Sequence, residues 1–290
     1  VHSQNISIHR RCLDSSAYAR RIMEECRSVV RFSGTVSPLS LYQRLHGQAP
    51  TEQGVAEQTS MALRARAPFR SDQVKVLTVT DIDTLYQRRL QSLPQLCGLI
   101  ADLQRARQGR YLVALPSYEY LDHLSRSPDK PANFITQSPA MGEDEQLALL
   151  KQFQQSPAAV LGIVMGGVFA ESVDLGTSTV AGVVVVSLGL PPTNLIRSLS
   201  VDYFNGAHGV GWGEQIAYLQ PAMTRVVQAA GRLIRGPRDK GVICLVDPRF
   251  ADPAIAKFFP EHWQPEKMSA NRVESCLKAF WSNDLSQPED

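Results

Sequence analysis

Short apolar runs recur along the chain between longer stretches in which apolar residues return every third or fourth position. The runs "VKVLTV", "RYLVAL", "NFITQ", "AVLGIVM", "TVAGVVVVSLGLPP" and "GVICLV" are rich in Val and Ile, and each predicts a strand. Helical periodicity predicts a long helix over residues 82 to about 107, closed by Gln108 and Gly109. It predicts others opening at "PSYEYLDHL", from about Asp144 to Gln155, and from Pro221 to the Gly236-Pro237 stop. Near the start, a helix from about Ser15 leads to a short strand around residues 28–32 and a polar Ser-Gly-Thr turn. A second helix follows, with Ser37 as its cap and Pro38 at its first position. "IRSLSV" predicts a further short strand before a Gly/His-rich loop. Residues 48–72 have weak periodicity and predict irregular structure, and "NDLSQPED" is a polar, acidic tail. Buried strands alternating with helices imply βαβ units, and hence an α/β fold with a mainly parallel sheet flanked by helices.

Composition narrows this picture without redirecting it. A chain of 290 residues, 43% hydrophobic and 20% charged, has enough apolar material for one large domain or two modest ones. A net charge of +2 gives no global nucleic-acid signature, so any anion-binding surface has to be local. The five cysteines are scattered, with no CxxC pair and no histidine at a metal-ligand spacing, which predicts reduced thiols in a cytoplasmic protein and no metal site. The longest apolar run is too short to span a bilayer, so no membrane association is expected. Because the chain opens at Val1 and its first residues already read like the interior of something, a fragment of a longer protein is expected.

The local anion site is predicted in "QAAGRLIRGPRDKG". On a helix running from Pro221, Met223, Val226, Val227, Ala230 and Leu233 or Ile234 form the packing face, while Arg225, Gln228, Arg232 and Arg235 share the other. Arginines three apart without an acid between them repel by about a few tenths of a kcal/mol, and an anion between them reverses that sign. Guanidinium forks take phosphate oxygens in pairs, and a neighbouring amide such as Gln228 orients an oxygen or a water. The plain alternative is a solvated basic face.

Three other stretches keep this helix company. "VMGGVFAESVDL" follows a strand, with Gly166 and Gly167 letting backbone approach a ligand and Glu171 and Asp174 just beyond. "ALPSYEYL" places Ser117 and Tyr118 at a strand-to-helix junction, where a hydroxyl and a ring can grip a sugar-phosphate chain. "FSGTVSPL" sets Ser33 and Thr35 in a turn of small hydroxyl residues. Taken singly, each reads as well as a loop, a helix cap or a packed tyrosine.

In the order "SGTVSPL", "YLVALPSYEYL", "GGVFAESVDL", "QAAGRLIRG", these stretches resemble motifs III to VI of the XPD/DinG-type iron-sulfur DNA helicases of superfamily two. The resemblance runs from about Cys12 to Trp263, and "FFPEHW" is similar to the bacterial branch. It implies a RecA-like helicase C-terminal domain over residues 46–290, preceded over 1–45 by the end of a first motor domain and the motif III connection. By matching positions, Arg235 is the arginine finger, with Arg232 beside it and Gln228 near the γ-phosphate and attacking water. Glu171, Asp174 and Gly167 fall to the nucleotide side, and Ser117, Tyr118, Ser33 and Thr35 to the single-stranded DNA track. The family usually has Gly where this chain has Ser172, which puts that backbone contact in doubt.

No GxxxxGK[ST] loop, acid box or cluster of four cysteines is present. The resemblance assigns these to an N-terminal motor half, which shares ATP and Mg2+ with this one and carries the iron-sulfur cluster. The expected protein is an ATP-dependent DNA helicase moving 5′ to 3′, cytoplasmic and nucleoid-associated, whose partners are single-stranded DNA, the N-terminal half and replication or repair proteins. This chain alone is expected to be inactive. The competing reading is a non-enzymatic module that binds single-stranded DNA or a protein and derives from such a helicase.

Overall fold

The computed structural model describes residues 8, 10–46, 62–63, 65, 70, 72–171, 180–234, 236 and 239–282, with Glu171 described by its backbone alone. In chain order it comprises α1 (Ser16–Glu24), α2 (Leu39–Leu45), β1 (Val74–Val79), α3 (Leu93–Ala106), β2 (Tyr111–Leu115), α4 (Tyr118–Arg126) and β3 (Phe134–Thr136). There follow α5 (Glu143–Gln155), β4 (Val160–Val164), α6 (Val168–Glu171), β5 (Gly182–Val186), α7 (Leu195–His208), α8 (Trp212–Glu214) and α9 (Gln220–Ala230). The chain closes with β6 (Gly241–Val246), α10 (Pro253–Ala256), β7 (Glu266–Met268) and α11 (Val273–Ser282). The chain packs as two compact units: Val1–Ala65 with Thr193–Ala217, and Arg66–Pro192 with Tyr218–Asp290.

The larger unit is built on a seven-stranded sheet of order β3-β4-β2-β5-β6-β1-β7. Every pairing is parallel. All five residues of β2, β4 and β5 and all six of β6 are buried, so no face of the sheet centre meets water and the strands read as unbroken apolar runs. Leu77, Val79, Val113, Leu115, Val184, Val186, Cys244 and Val246 fall on one face and pack with α3, α4 and α11. The alternate residues serve the other face, where α9 lies against β5. In the smaller unit, Leu41 of α2 is buried, the Arg44 guanidinium sits 4.6 Å over the Trp212 ring, and His208 stacks on Phe204.

The six strands expected from the apolar runs are present, and several other expectations are corrected. No long helix spans residues 82–107: α3 begins at Leu93, with Pro94 in its first turn. Ahead of it, Asp83 accepts from the Leu85 amide and pairs with Arg88, and Thr84 donates to Asp247. These side-chain bonds draw the backbone into turns instead of helix. "IRSLSV" is not a strand but part of α7, whose cap Asn194 accepts from the Arg197 amide at 2.9 Å. Residues 28–32 are exposed and outside any strand, and α2 begins at Leu39 with Pro38 at the cap position. The apolar pattern did not announce β7 or α11, while the tail at 283–290 and nearly all of 48–72 lie outside the described residues. Among the described residues no helix is long and apolar enough to cross a membrane.

Candidate functional site

In open parallel sheets ligands gather at the carboxyl ends of the strands, and the register defines that edge here. Ala114, Val185 and Leu245 are level across β2, β5 and β6, so two residues further on Pro116, Ser187 and Asp247 form one row. The predicted residues of the larger unit leave the sheet at this edge.

After β2, Ser117 caps α4 by accepting from the Tyr120 amide at 3.3 Å. Glu119 lies in the positive first turn of the helix and pairs with Arg89 at 2.8 Å. The Arg89 side chain is only 7% exposed, and its guanidinium lies 4.3 Å over the Tyr86 ring and 4.9 Å over that of Tyr120. Burial keeps the Tyr120 hydroxyl protonated, with its pKa pushed up to about 12. Tyr120 is thus the inward anchor of this turn and Tyr118, 38% exposed, the outward ring. The Ser117 oxygen is used as an acceptor by the cap, while its O–H remains available as a donor.

After β4, Gly166 takes φ +75°, a conformation costly for any residue with a Cβ. The space above it is filled by Arg225 of α9: a Cβ on Gly166 would lie 3.0 Å from Nε and 3.2 Å from Cδ. The glycine turn that the sequence marks as a ligand approach is therefore also the seat of an arginine stem. Gly167 donates to the Val164 carbonyl at 3.1 Å and leads into α6, where Ala170 is buried. The Ala170 carbonyl accepts from Arg232 Nε at 3.0 Å, so the stretch after β4 and the stretch after α9 are hydrogen-bonded together.

The arginine face differs from the expectation in one respect. Helix α9 ends at Ala230 with Gly231 as its cap, so Arg232 belongs to the turn beyond and only Arg225 and Gln228 share a helical face. Glycine pays the greatest backbone entropy in a helix, which favours termination there. The packing face is as expected, with Met223, Val226, Val227, Ala230 and Leu233 buried. Gln228 is half-buried, and its Oε1 is buried with no hydrogen-bond partner among the described residues. Arg235, Asp174, Ser172 and the Glu171 side chain lie outside the described residues. Ser33 and Thr35, in the smaller unit, form a local hydroxyl turn in which the Ser33 Oγ accepts from the Thr35 amide at 3.2 Å.

Sequence reasoning missed a cluster at the end of β6. Asp247 is 1% exposed and its carboxylate accepts from Arg249 Nε at 2.9 Å, from Arg249 Nη2 at 2.7 Å and from Thr84 Oγ1. Hydrogen bonding to Asp247 raises the Arg249 pKa, fixing it as a cation. The signal was present in "LVDPRF", an acid directly after a buried strand with an arginine two residues on. Among the described residues no group of three or more His, Cys, Asp or Glu side chains could hold a metal ion, and the cysteines are unpaired thiols. The residues described do not fit an iron-sulfur cluster or a magnesium site.

Residues 100–266, more than half of the chain, match the model of the helicase C-terminal domain family. A probable ATP-dependent helicase of Methanocaldococcus jannaschii is 28% identical over 241 residues, covering 77% of this chain and 35% of that protein. The general transcription and DNA repair factor IIH helicase subunit XPD of Dictyostelium discoideum is 26% identical over 262 residues, covering 82% of this chain and 32% of that protein. The chain thus spans about a third of the length of these relatives. A solved structure of an XPD helicase superposes with a TM-score of 0.64 at 20% identity, covering 88% of this chain and 45% of that one. The all-parallel sheet, the carboxyl-edge stretches in their order and these matches establish that the chain belongs to the helicase C-terminal domain family, of the XPD/DinG type.

Proposed function

We propose that this chain is the second motor domain of an ATP-dependent DNA helicase, supplying the arginine side of a nucleotide site and part of a track for single-stranded DNA. Residues 1–45 hold the end of the first motor domain and its connection, and residues 46–290 the second domain. The observation that carries this reading is the hydrogen bond from Arg232 to the Ala170 carbonyl. It joins the stretch carrying Arg232 and Arg235 to the stretch carrying Gly167, Glu171 and Asp174, so a change at one is felt at the other.

The chemistry follows from charge. When water attacks the γ-phosphorus and the bond to the β,γ-bridging oxygen breaks, negative charge spreads over the transferred group. A guanidinium presented from an opposing domain stabilises that charge only when the cleft is closed. Arg235 is assigned this finger role, Arg232 the neighbouring contact, and Gln228 the water and γ-phosphate side. The buried, unpartnered Oε1 of Gln228 supports that last assignment, because it can accept a hydrogen from a water brought into the site. Magnesium, which would offset phosphate charge, would be held by residues of the N-terminal half, as would the iron-sulfur cluster. Ser117, Tyr118, Ser33 and Thr35 serve the strand, with movement from 5′ to 3′. The relatives' names, an ATP-dependent helicase and a DNA repair helicase subunit, support ATP use and DNA as the substrate.

The test is DNA-stimulated ATP turnover of this chain alone, of a separately made N-terminal half, and of the two mixed. Activity is expected only in the mixture. In the complete enzyme, Arg235→Ala lowers turnover by about 10³-fold or more while DNA binding persists. Near-normal turnover in that variant removes the finger assignment. A silent mixture in which this chain still binds single-stranded DNA selects the binding module instead.

A further inference from the structure

We propose that Arg249 is a phosphate-contacting residue, held in place by Asp247 and standing at the ligand edge of the sheet. The site is built inside the larger unit and depends on the helicase reading only for the source of the phosphate.

The carboxylate of Asp247 is saturated. Oδ1 accepts from the Arg249 amide at 2.8 Å and from Nε at 2.9 Å, and Oδ2 from Nη2 at 2.7 Å and from Thr84 Oγ1. Four donors fill the roughly four acceptor positions of a carboxylate, leaving nothing for a metal, a water or a proton to be moved. Asp247 is therefore neither base nor ligand, and what it does is fix the plane of the guanidinium.

Arg249 itself is not saturated. Nη2 also donates to Ser187 Oγ at 3.3 Å, while Nη1 has no partner among the described residues. The side chain stays 34% exposed beside a carboxylate that is 1% exposed. A lysine would neutralise Asp247 equally well. Only a fork can give one edge to the carboxylate and keep further donors in a fixed direction, which is the geometry that phosphate oxygens take.

The surroundings argue for a ligand as well. Ser187 is the only residue other than glycine with positive φ among those described, at +70°, and it stands at the end of β5 beside Asp247 in the row defined by the register. Backbone strain of this kind is unfavourable for a residue with a Cβ and persists where the surrounding structure demands it. On the other side of β5, β2 leads into Ser117 and the exposed Tyr118 ring. Two strand spacings, about 10 Å, separate the ends of β2 and β6. The same edge thus carries an exposed aromatic ring and an oriented cation, as a single strand needs for a base and a backbone phosphate. A nucleotide phosphate is the other source of the same group.

The experiment titrates this chain and its Arg249→Gln and Arg249→Lys variants with a fluorescent oligothymidylate across a range of salt, and separately with ATP. Melting curves of all three proteins are recorded. Arg249→Gln is expected to weaken binding by about tenfold and to reduce the slope of log K against log salt by about 0.7, the loss of one phosphate contact on a single strand. Arg249→Lys keeps Asp247 paired and the melting temperature unchanged, yet still binds more weakly because the fork is gone. Loss confined to the oligonucleotide, or to ATP, upholds the site and names its source. Unchanged affinity and slope in both variants overturn it, as does weakening that only follows a lowered melting temperature. Weaker binding in Tyr118→Ala with both Arg249 variants unchanged overturns this inference and leaves the helicase reading standing. A parent chain that binds neither probe overturns this inference, while the helicase reading is decided by the turnover of the mixed halves.

Discussion

Arg225 and Arg249 both come to rest at the carboxyl edge of the sheet, and they are held in opposite ways. Arg249 gives three donors to a buried carboxylate and a serine hydroxyl, so its position is set by hydrogen bonds. The Arg225 side chain makes no hydrogen bond or ion pair among the described residues and is placed by shape, its stem lying over the missing side chain of Gly166. The first arrangement orients a cation at the cost of pairing its charge with Asp247. The second leaves the charge unpaired and the direction loosely set. One edge of the sheet thus holds one arginine by hydrogen bonds and another by shape.

The largest effect expected from disturbing this contrast is at Asp247. Asp247→Ala leaves the Arg249 guanidinium and the Thr84 hydroxyl without their acceptor, at a place where both Asp247 and Thr84 are buried. Removing one partner of a buried pair costs about 3–5 kcal/mol, and the partial exposure of Arg249 favours the lower end. Urea unfolding monitored by circular dichroism reads the value directly. A loss under about 1 kcal/mol would mean that the clamp is a surface ion pair.

The legibility of the two arginines differs for the same reason. Arg225 was visible in the sequence because α9 repeats its apolar positions every three or four residues, and the arginine falls between them. Its seat on Gly166 was not visible, because that contact joins α9 to the end of β4 and no local pattern carries it. The strands could be read because a parallel sheet covered on both faces leaves its Val and Ile runs unbroken. The turns at 82–92 were misread because Asp83 and Thr84 spend their side chains on an amide and on Asp247, a partner more than 160 positions away. Of the site, the motif order was legible, together with Ser117 as a cap, whereas the choice between a packed and an exposed Tyr118 was left open. The end of α9 at Gly231 and the Asp247 clamp had to come from the structure.

Next in size is Gly166→Ala. The new methyl meets two penalties: a backbone at φ +75°, which costs an L-residue about 1–2 kcal/mol, and the Arg225 side chain 3.0 Å away. The flexible arginine can move, so the steric part is the smaller one. Stability is expected to fall by about 1–2 kcal/mol in the same urea assay. A fall well beyond that range would mean that Arg225 is held more tightly than its lack of partners indicates.

The smallest effect, and the sharpest test of the contrast, is Arg225→Met. Methionine keeps an unbranched stem over Gly166 and removes only the charged head, which has no hydrogen bond to lose. Stability is expected to stay within about 0.5 kcal/mol of the parent. Combined with Gly166→Ala, an Arg225→Ala change, which ends the side chain before the Cδ and Nε that crowd Gly166, removes the steric part of the penalty and leaves the backbone part, so that double variant should be more stable than the sum of its singles by about a few tenths of a kcal/mol. Strict additivity would show that the arginine had already moved aside and that shape does not place it. A loss from Arg225→Met as large as that from Asp247→Ala would mean that Arg225 has an acidic partner after all, and the two arginines would then be held alike.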